Sequence, residues 1–558
     1  MRHQVKKGLV LTLCAVLAAL SAVSCGDAGK TMSGGSSQPE VSASSAESSE
    51  SEAAVEPMKK YDPPITITTV FGEGNFEFPE GEDYGHNDMY QLWEDTMGVH
   101  IVNKIQCPAT AVKEKMQMAI ASNDIPDFGS VDATMLRTLI KNDMVEDMTD
   151  IYNTWASDNL KEVTGQSDNA LFAPTLKDGR YMALPRANTI GDQLPILFIR
   201  SDWLDKLNLD PPKTVEEMFE IAEAFATQDP DGNGIADTYG IQMDKDLSKL
   251  PYLLASYGAY SKQWVKQEDG SYIAGCTDPK VKEGLQAMRD LYAAGGLDPE
   301  FAVKEEAKTE EFVAAGKIGM YIGFFWWPLG AMKDCVANVE GADWIAVELP
   351  PSKNMETYLT PVELNTAGYL YVRKGYEHPE AVVVMMNHLC DGYAAPWLVG
   401  EDTDFAKGYQ AIAADVKYKN VAVNGMMPFS LAGNINWGPI FQEAIDKGEK
   451  HVFGKDQDYQ NVISTELSPE MQWAWKKVYL EAYPVLGDFE NLHYNDYTGS
   501  PTDTAVKVQS LLEKEMLTTF IGMIMGEIPI DSFDDFVKRY NSMGGEKIAQ
   551  EIQAAMAE

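Results

Sequence analysis

The chain has one strongly apolar run, from Gly8 to Val23, and those sixteen residues are too few to span a membrane. As a helix they would reach about 24 Å, against a hydrocarbon core of about 30 Å. No second run of that kind follows, so the rest of the 558 residues must bury its apolar surface against itself in water. Hydrophobic residues make up 45% of the chain, which is enough for packed cores. Asp and Glu number 85 against 45 Lys and Arg, giving a formal charge of −40. A surface this acidic lacks the cations that neutralise phosphates, and no Lys/Arg run supplies a local patch. Nucleic acid is thereby excluded as a general partner, as is charge-driven binding to an anionic membrane.

Arg2, Lys6 and Lys7 precede the apolar run, and Ala22-Val23-Ser24-Cys25 closes it before Gly26. Small residues ahead of a cysteine at this position resemble a bacterial lipobox. The resemblance implies that residues 1–24 are a lipoprotein signal peptide, cleaved before Cys25. It also implies a diacylated sulfur and an N-acyl chain such as palmitate on Cys25. Several acyl chains anchor stably where one does not. An ordinary secretory signal with an incidental cysteine is the alternative. Residues 25–59 then form a Ser/Glu-rich tether, too poor in large apolar side chains to offset its ordering entropy. Gly29-Lys30-Thr31 is not a phosphate loop, because Ser24 stands where the first glycine belongs and no strand precedes it. Cys107, Cys276, Cys335 and Cys390 are far apart, and isolated buried thiols are expected rather than a zinc or thioredoxin site.

Beyond residue 60 the pattern alternates. Ile65-Thr66-Ile67-Thr68-Thr69-Val70 reads as a strand. Helices are predicted over 89–97, 110–121 and 135–145, with a strand over 99–105 and a strand edge at 125–128. Lys177 to Pro185 reads as a hairpin with an Asp-Gly turn, and 194–199 as a strand. Thr214 is placed to cap a helix with Glu216 and Glu217 in its first turn, ahead of the apolar stripe Met218, Ile221, Ala222, Phe225. Strands alternating with helices point to an α/β architecture with mainly parallel sheets.

Three segments carry a family resemblance. IRSDWLDKLNLDPPKTVEEMFEIAEAF (199–225) runs into DPDGNGIADTYGI (229–241). FVAAGKIGMYIGFFWWPL occupies 312–329, and FDDFVKRYNSMGGEKIAQEI occupies 533–552. In this order they resemble the lipid-anchored extracellular solute-binding proteins of the family 1 type, in the longer lipoprotein branch related to alginate-binding proteins. The resemblance spans residues 60–558. It implies a two-lobe, periplasmic-binding-protein-like type II α/β fold with a hinged cleft between the lobes. The N-terminal lobe is expected to take 60–198 and about 365–430, and the C-terminal lobe 199–364 and about 431–558. The implied role is that of an ABC importer's substrate-binding protein. It would deliver an oligosaccharide to permease subunits as a monomer, attached to the membrane only through its lipid and doing no chemistry. The same fold with a peptide or other solute, and a surface-anchored carbohydrate-active enzyme, stay open as alternatives.

Two constellations bear on the site. Asp229, Asp231, Asn233 and Asp237 occupy positions 1, 3, 5 and 9 of a loop with Gly234 at position 6, and Ile235 can add its carbonyl. Oxygen donors at that spacing suit Ca²⁺ in a structural role. Position 12 is Gly240 rather than a bidentate Glu, and Thr238 is the candidate extra oxygen. Relatives carry calcium in an equivalent loop, which the resemblance extends to this one. The other constellation is aromatic. Sugars offer apolar C–H faces and hydroxyl rims, so a binder needs flat rings beside amides, carboxylates and guanidinium groups. Trp326 and Trp327 follow a predicted strand at 317–321, and being neighbours in an extended segment they should face opposite ways. Asn434, Asn436 and Trp437 share a Gly/Pro loop. Phe71 and Glu73 follow the first strand, and Arg186 and Asn188 follow the hairpin. Core packing is the competing role for each aromatic. No HExxH or GxSxG occurs, and the seven histidines have no metal-ligand spacing.

Overall fold

The computed structural model describes residues 56–74, 78–165, 170–188, 190–364, 366–390, 403–415, 417, 426, 437–452, 455–487 and 491–557. The signal segment, Cys25 and almost all of the tether lie outside them, as do Asn434 and Asn436. Fifteen strands occur among the described residues, in the order β1 Ile65–Glu73, β2 Val99–Pro108, β3 Phe128–Val131, β4 Leu176–Lys177, β5 Arg180–Tyr181, β6 Leu184–Ala187, β7 Ile196–Arg200, β8 Tyr239–Ile241, β9 Trp264–Lys266, β10 Tyr272–Ala274, β11 Ile318–Gly323, β12 Trp344–Val347, β13 Thr360–Val362, β14 Thr366–Val372 and β15 Leu492–Tyr494.

Two sheets organise the body. One has the order β3-β14-β6, with the parallel pair β1-β2 fastened beside it. Thr68 N–H and hydroxyl both donate to Asp127 Oδ2, at 2.9 and 2.6 Å, just before β3. The other sheet has the order β12-β7-β11-β8. The sheets are mixed rather than mainly parallel. β1/β2 and β8/β11 are parallel, but β14 runs antiparallel to β3 and β6, and β7 antiparallel to β11 and β12. The cause is connectivity. β7 follows β6 of the other sheet, and β14 follows β13, which pairs with β15 outside both sheets, so neither is fed by a helical crossover within its own sheet.

Buried side chains sort in the same way. Two clusters draw only on residues 61–187 and 369–426. The other two draw only on 190–362 and 437–552. The chain therefore feeds one pair of cores, then the other, and repeats. The result is a two-lobe α/β fold.

Local chemistry explains the elements. The helix Asp88–Met97 starts where Asn87 accepts from Tyr90 N–H and stops at Gly98, in the left-handed region at φ 68°. A Cβ at Gly98 would lie 2.1 Å from the Tyr61 carbonyl oxygen, so only glycine fits. Thr214 caps the helix Val215–Thr227 through Glu217 N–H, as expected. The predicted helix at 135–145 instead spans Ala133–Lys141, because Asp143 turns to φ 56°. The predicted strand edge at 125–128 begins only at Phe128, since Asp127 is tied sideways to Thr68 and Arg373. Cys107, Cys276, Cys335 and Cys390 are free and buried. Among the described residues no helix is long and apolar enough to cross a membrane.

Candidate functional site

Strand pairing fixes which loops share an edge. In the β12-β7-β11-β8 sheet, Gly323 at the end of β11 pairs with Ile196 at the start of β7, and Val347 at the end of β12 pairs with Leu197. β8 runs parallel to β11. One edge thus collects the segments after β8, β11 and β12 and the chain arriving before β7. In the other sheet, Thr366 at the start of β14 pairs with Ala187 at the end of β6, and Tyr369 pairs with Val131 at the end of β3. In the chain order β6 of one sheet is followed by β7 of the other, and β12 of that sheet is followed, after β13, by β14 of the first. Of the residues singled out in the sequence, Trp326 and Trp327 follow β11 at one edge and Arg186 and Asn188 lie at the end of β6 at the other.

The aromatic loop after β11 divides its tryptophans. Trp326 is 36% exposed and stacks on Phe324, with ring centroids 5.0 Å apart. Trp327 packs inward against Tyr321 at 4.4 Å, with the Lys249 ammonium 4.2 Å from its ring centre. A Cβ at Gly323 would lie 2.2 Å from Trp327 Cε3, so this glycine is what lets the indole fold back under the strand. Lys249 is buried and paired with Glu306 at 2.6 Å. Trp326 is the one of the pair left half-exposed. Phe71 and Trp437 sit in the cores, 4% and 5% exposed, against Tyr84 and Phe441 respectively.

On the other edge, Arg186 donates to Ser130 Oγ at 2.8 Å, and burial brings its guanidinium down to about 10. Glu73 is half-buried and accepts from Gln106 at 2.9 Å. Asn188 lies two residues beyond Arg186, at the start of the crossover.

The structure adds residues that the sequence reading passed over. β13 pairs in parallel with β15 beside the crossover. A cavity of about 490 Å³ lies on one side, lined by Asp246, Lys262, Trp264, Glu363 and Glu513 among others. Another of about 560 Å³ is lined by Leu194, Glu348, Glu356, Thr360 and Asn491 among others. The wall around Glu363 raises its carboxyl above the ordinary glutamate range, with Asn495 and Lys262 opposing, although the residue still reaches solvent. Gln263 fastens the two strands: its amide donates to the Val362 and His493 carbonyls at 2.9 and 3.1 Å. His493 Nδ1 lies 2.7 Å from Gln263 Oε1, and its ring stacks on Tyr260. The stretch Ser261-Lys262-Gln263-Trp264 mixes an aromatic with polar residues as the chosen loops do. That was the available signal.

The acidic loop lies at the opposite edge of the same sheet, since Asp237 and Thr238 precede β8 and Lys317 precedes β11. Lys317 Nζ sits between Asp231 Oδ2 and Asp237 Oδ2, at 2.9 and 2.8 Å. Asn233 also donates to both carboxylates, at 2.8 and 3.1 Å. Asp231 is pulled up by burial and further down by Lys317 and the Asn233 N–H, ending below the ordinary aspartate value. Asp237 is lowered by Lys317 and Asn233. The donors suit a hard cation in kind, and Asp229 Oδ1 is buried with no hydrogen-bond partner. Thr238 is committed elsewhere, its hydroxyl donating to the Phe225 carbonyl at 2.7 Å, and Ile235 is 60% exposed. Among the described residues no three His, Cys, Asp or Glu side chains converge as a metal cluster.

Two lobes, each offering a strand-end edge to a shared crossover with an open aromatic at its rim, define a solute-binding protein. The model of the bacterial extracellular solute-binding protein family matches residues 90–391, and the chain belongs to that family. Over 218 residues it is 29% identical to the polygalacturonan/rhamnogalacturonan-binding protein YtcQ of Bacillus subtilis, covering 38% of this chain and 42% of that one. The chain spans less than half the length of the curated relatives it matches. Among solved structures, the solute-binding protein from Bifidobacterium longum infantis described as human-milk-oligosaccharide (HMO) binding superposes with a TM-score of 0.60 at 15% identity, covering 88% of this chain and 98% of that one. An EF-hand mutant of the S. pneumoniae substrate-binding protein FusA, in complex with fructo-nystose, superposes at 0.53 with 18% identity and covers 88% and 98%. At these identities the structural matches establish the fold.

Proposed function

We propose that this chain is the substrate-binding lipoprotein of an ABC importer. It captures an oligosaccharide or glycan fragment between two lobes and presents it to membrane permease subunits without altering it. The observation that carries this reading is the half-exposed Trp326, stacked on Phe324 in the segment that follows β11 at the crossover edge. A flat ring held rigid by a second ring is the platform that a sugar's C–H face requires. Arg186, Asn188 and Glu73 supply the polar rim from the opposite sheet. Asn434, Asn436 and the core residues Phe71, Trp437 and Trp327 complete the candidate set, the last three as its support. The lobes are residues 60–188 with about 365–430, and 190–364 with about 431–558; the first boundary falls before Ile190 rather than at the expected 198, because Ile190, Leu194 and β7 pack into the second lobe's cores. Binding closes them by hinge rotation. Support for this division comes from the way the buried clusters alternate along the chain.

Cys25 carries the lipid, so the protein works at the outer face of the cell membrane. The loop 229–238 holds Ca²⁺ structurally through Asp229, Asp231, Asn233, the Ile235 carbonyl and Asp237, with Thr238 behind them. When bound, the ion would add positive charge beside the Lys317 ammonium that already bridges Asp231 and Asp237. A thermal-shift panel of oligosaccharides and peptides tests the function. A ligand at 100 times its Kd adds about 2.7 kcal/mol of stability. A shift from oligosaccharides supports the reading, and a shift from peptides alone replaces it.

A further inference from the structure

The two cavities beside β13 and β15 are alike in charge. The smaller is lined by Asp246, Glu363 and Glu513 with one ammonium, Lys262. The larger is lined by Glu348 and Glu356, with no Lys, Arg or His among its lining residues. Five carboxylates therefore face the space beside the crossover, against one lysine, and that lysine lies near enough to Glu363 to offset it. Two other cations of the same region are engaged. Lys249 is buried against Glu306 and the Trp327 ring, and Arg186 donates to Ser130. Trp264 adds a second half-exposed indole, with its backbone fixed by Asn495 Oδ1 accepting from its N–H at 3.0 Å.

We propose that the ligand this site selects is an uncharged oligosaccharide, and that the carboxylates lining the two cavities exclude uronic-acid oligomers. The inference rests on the oligosaccharide reading above and adds the substrate class to it. The chemistry is one of donors and acceptors. An ionised carboxylate only accepts hydrogen bonds, and accepts them strongly. Sugar hydroxyls donate, so Asp246 and Glu363 can each take a pair of them while an indole covers the ring face. A uronate brings its own acceptor-only anion at every residue. Among the residues lining the two cavities it would meet like charge and no arginine fork of the kind that carboxylate recognition uses. This departs from the pectic polymers in the name of the relative YtcQ.

The test measures affinity by calorimetry for neutral gluco-, xylo-, galacto- and fructo-oligosaccharides of two to six residues. Oligogalacturonides and chitosan oligomers of the same lengths run alongside, at low and high salt. A neutral oligomer should bind at least 100-fold more tightly than any oligogalacturonide, with little dependence on salt. Glu363→Gln, the same size without the charge, should cost about tenfold toward the neutral ligand with an unchanged melting temperature. Lys262→Met should cost less than threefold. Oligogalacturonide binding as tight as neutral binding, weakened by salt and by Lys262→Met, would overturn the exclusion while leaving the oligosaccharide reading intact. Chitosan binding above every neutral sugar would overturn the uncharged class in the other direction. If only peptides bind, the parent reading fails and the inference falls with it.

Discussion

Replacing Lys317 with Met tests what holds the acidic loop together. The amine lies 2.9 Å from Asp231 and 2.8 Å from Asp237, and the three side chains are 25%, 16% and 39% exposed. Breaking an exposed ion pair costs up to about 1 kcal/mol and breaking a buried one about 3–5 kcal/mol. This half-buried bridge belongs between them, so Lys317→Met should cost about 2 kcal/mol in EDTA. Its methylenes are replaced, so the loss is electrostatic rather than a packing loss. For a domain of 150–250 residues, each kcal/mol moves the melting temperature by about 2–4 °C, giving a drop of about 4–8 °C. Saturating Ca²⁺ should recover most of it, because an ion at 100 times its Kd contributes about 2.7 kcal/mol. The assay is calorimetric melting of wild type and variant, each in EDTA and in Ca²⁺. An equal loss in both conditions would sink the idea that the loop takes the ion. No loss in either would show that the amine does not hold the loop.

Three further outcomes are expected. Trp326→Ala should weaken ligand binding by at least tenfold with little change in melting temperature, whereas Trp327→Ala should cost about 3 kcal/mol of stability, since it empties the space beside Tyr321 and Lys249; equal effects of the two on stability would refute the division of roles. Gly323→Val should cost at least about 2 kcal/mol in chemical denaturation, because even its Cβ would fall 2.2 Å from Trp327. His388 is buried and its imidazolium is pushed down to about 4 by that burial. Below the unfolded value of about 6.5 the unfolded chain gains a proton that the folded chain refuses, so stability falls from pH 6.5 to about 4, by about 3 kcal/mol. His388→Leu should remove that part of the pH dependence in urea titrations at pH 7 and pH 4.

How far the sequence could be read depended on whether local chemistry or long-range packing decided each feature. Thr214 acts within one helical turn, and its cap was legible. The alternation of Ile65 to Val70 likewise needed no distant partner. Sheet polarity did not follow, because β7 and β14 owe their direction to crossovers between lobes that no window of residues contains. The aromatics divide on the same principle. Trp326 and Trp327 were expected to face opposite ways, and one is half-exposed while the other lies under Gly323. Which of them opened outward depended on Lys249 and Tyr321, 78 and 6 residues before Trp327. Trp264 and Glu363 were missed because they meet only through Asn495, more than 130 residues beyond Glu363.

On the proposed reading, the placement of the acidic loop ties a feature at one edge of the sheet to the binding groups at the other. β8 starts directly from Asp237 and Thr238, and β11 starts directly from Lys317. Both then run parallel, with Tyr239 opposite Ile318 and Ile241 opposite Met320, and end at the crossover edge. From there β8 leads to Asp246 in the cavity wall, and β11 leads to Gly323 and Trp326. Strands cannot slip by one residue without turning every side chain to the other face. The Lys317 bridge to Asp231 and Asp237 therefore pins the starts of two strands whose ends lead to Asp246 and Trp326, the groups proposed for the ligand. Loosening it should blur the spacing between Asp246 and Trp326 before it unfolds the lobe. For this reason Lys317→Met in EDTA should lose ligand affinity at temperatures well below its own melting transition.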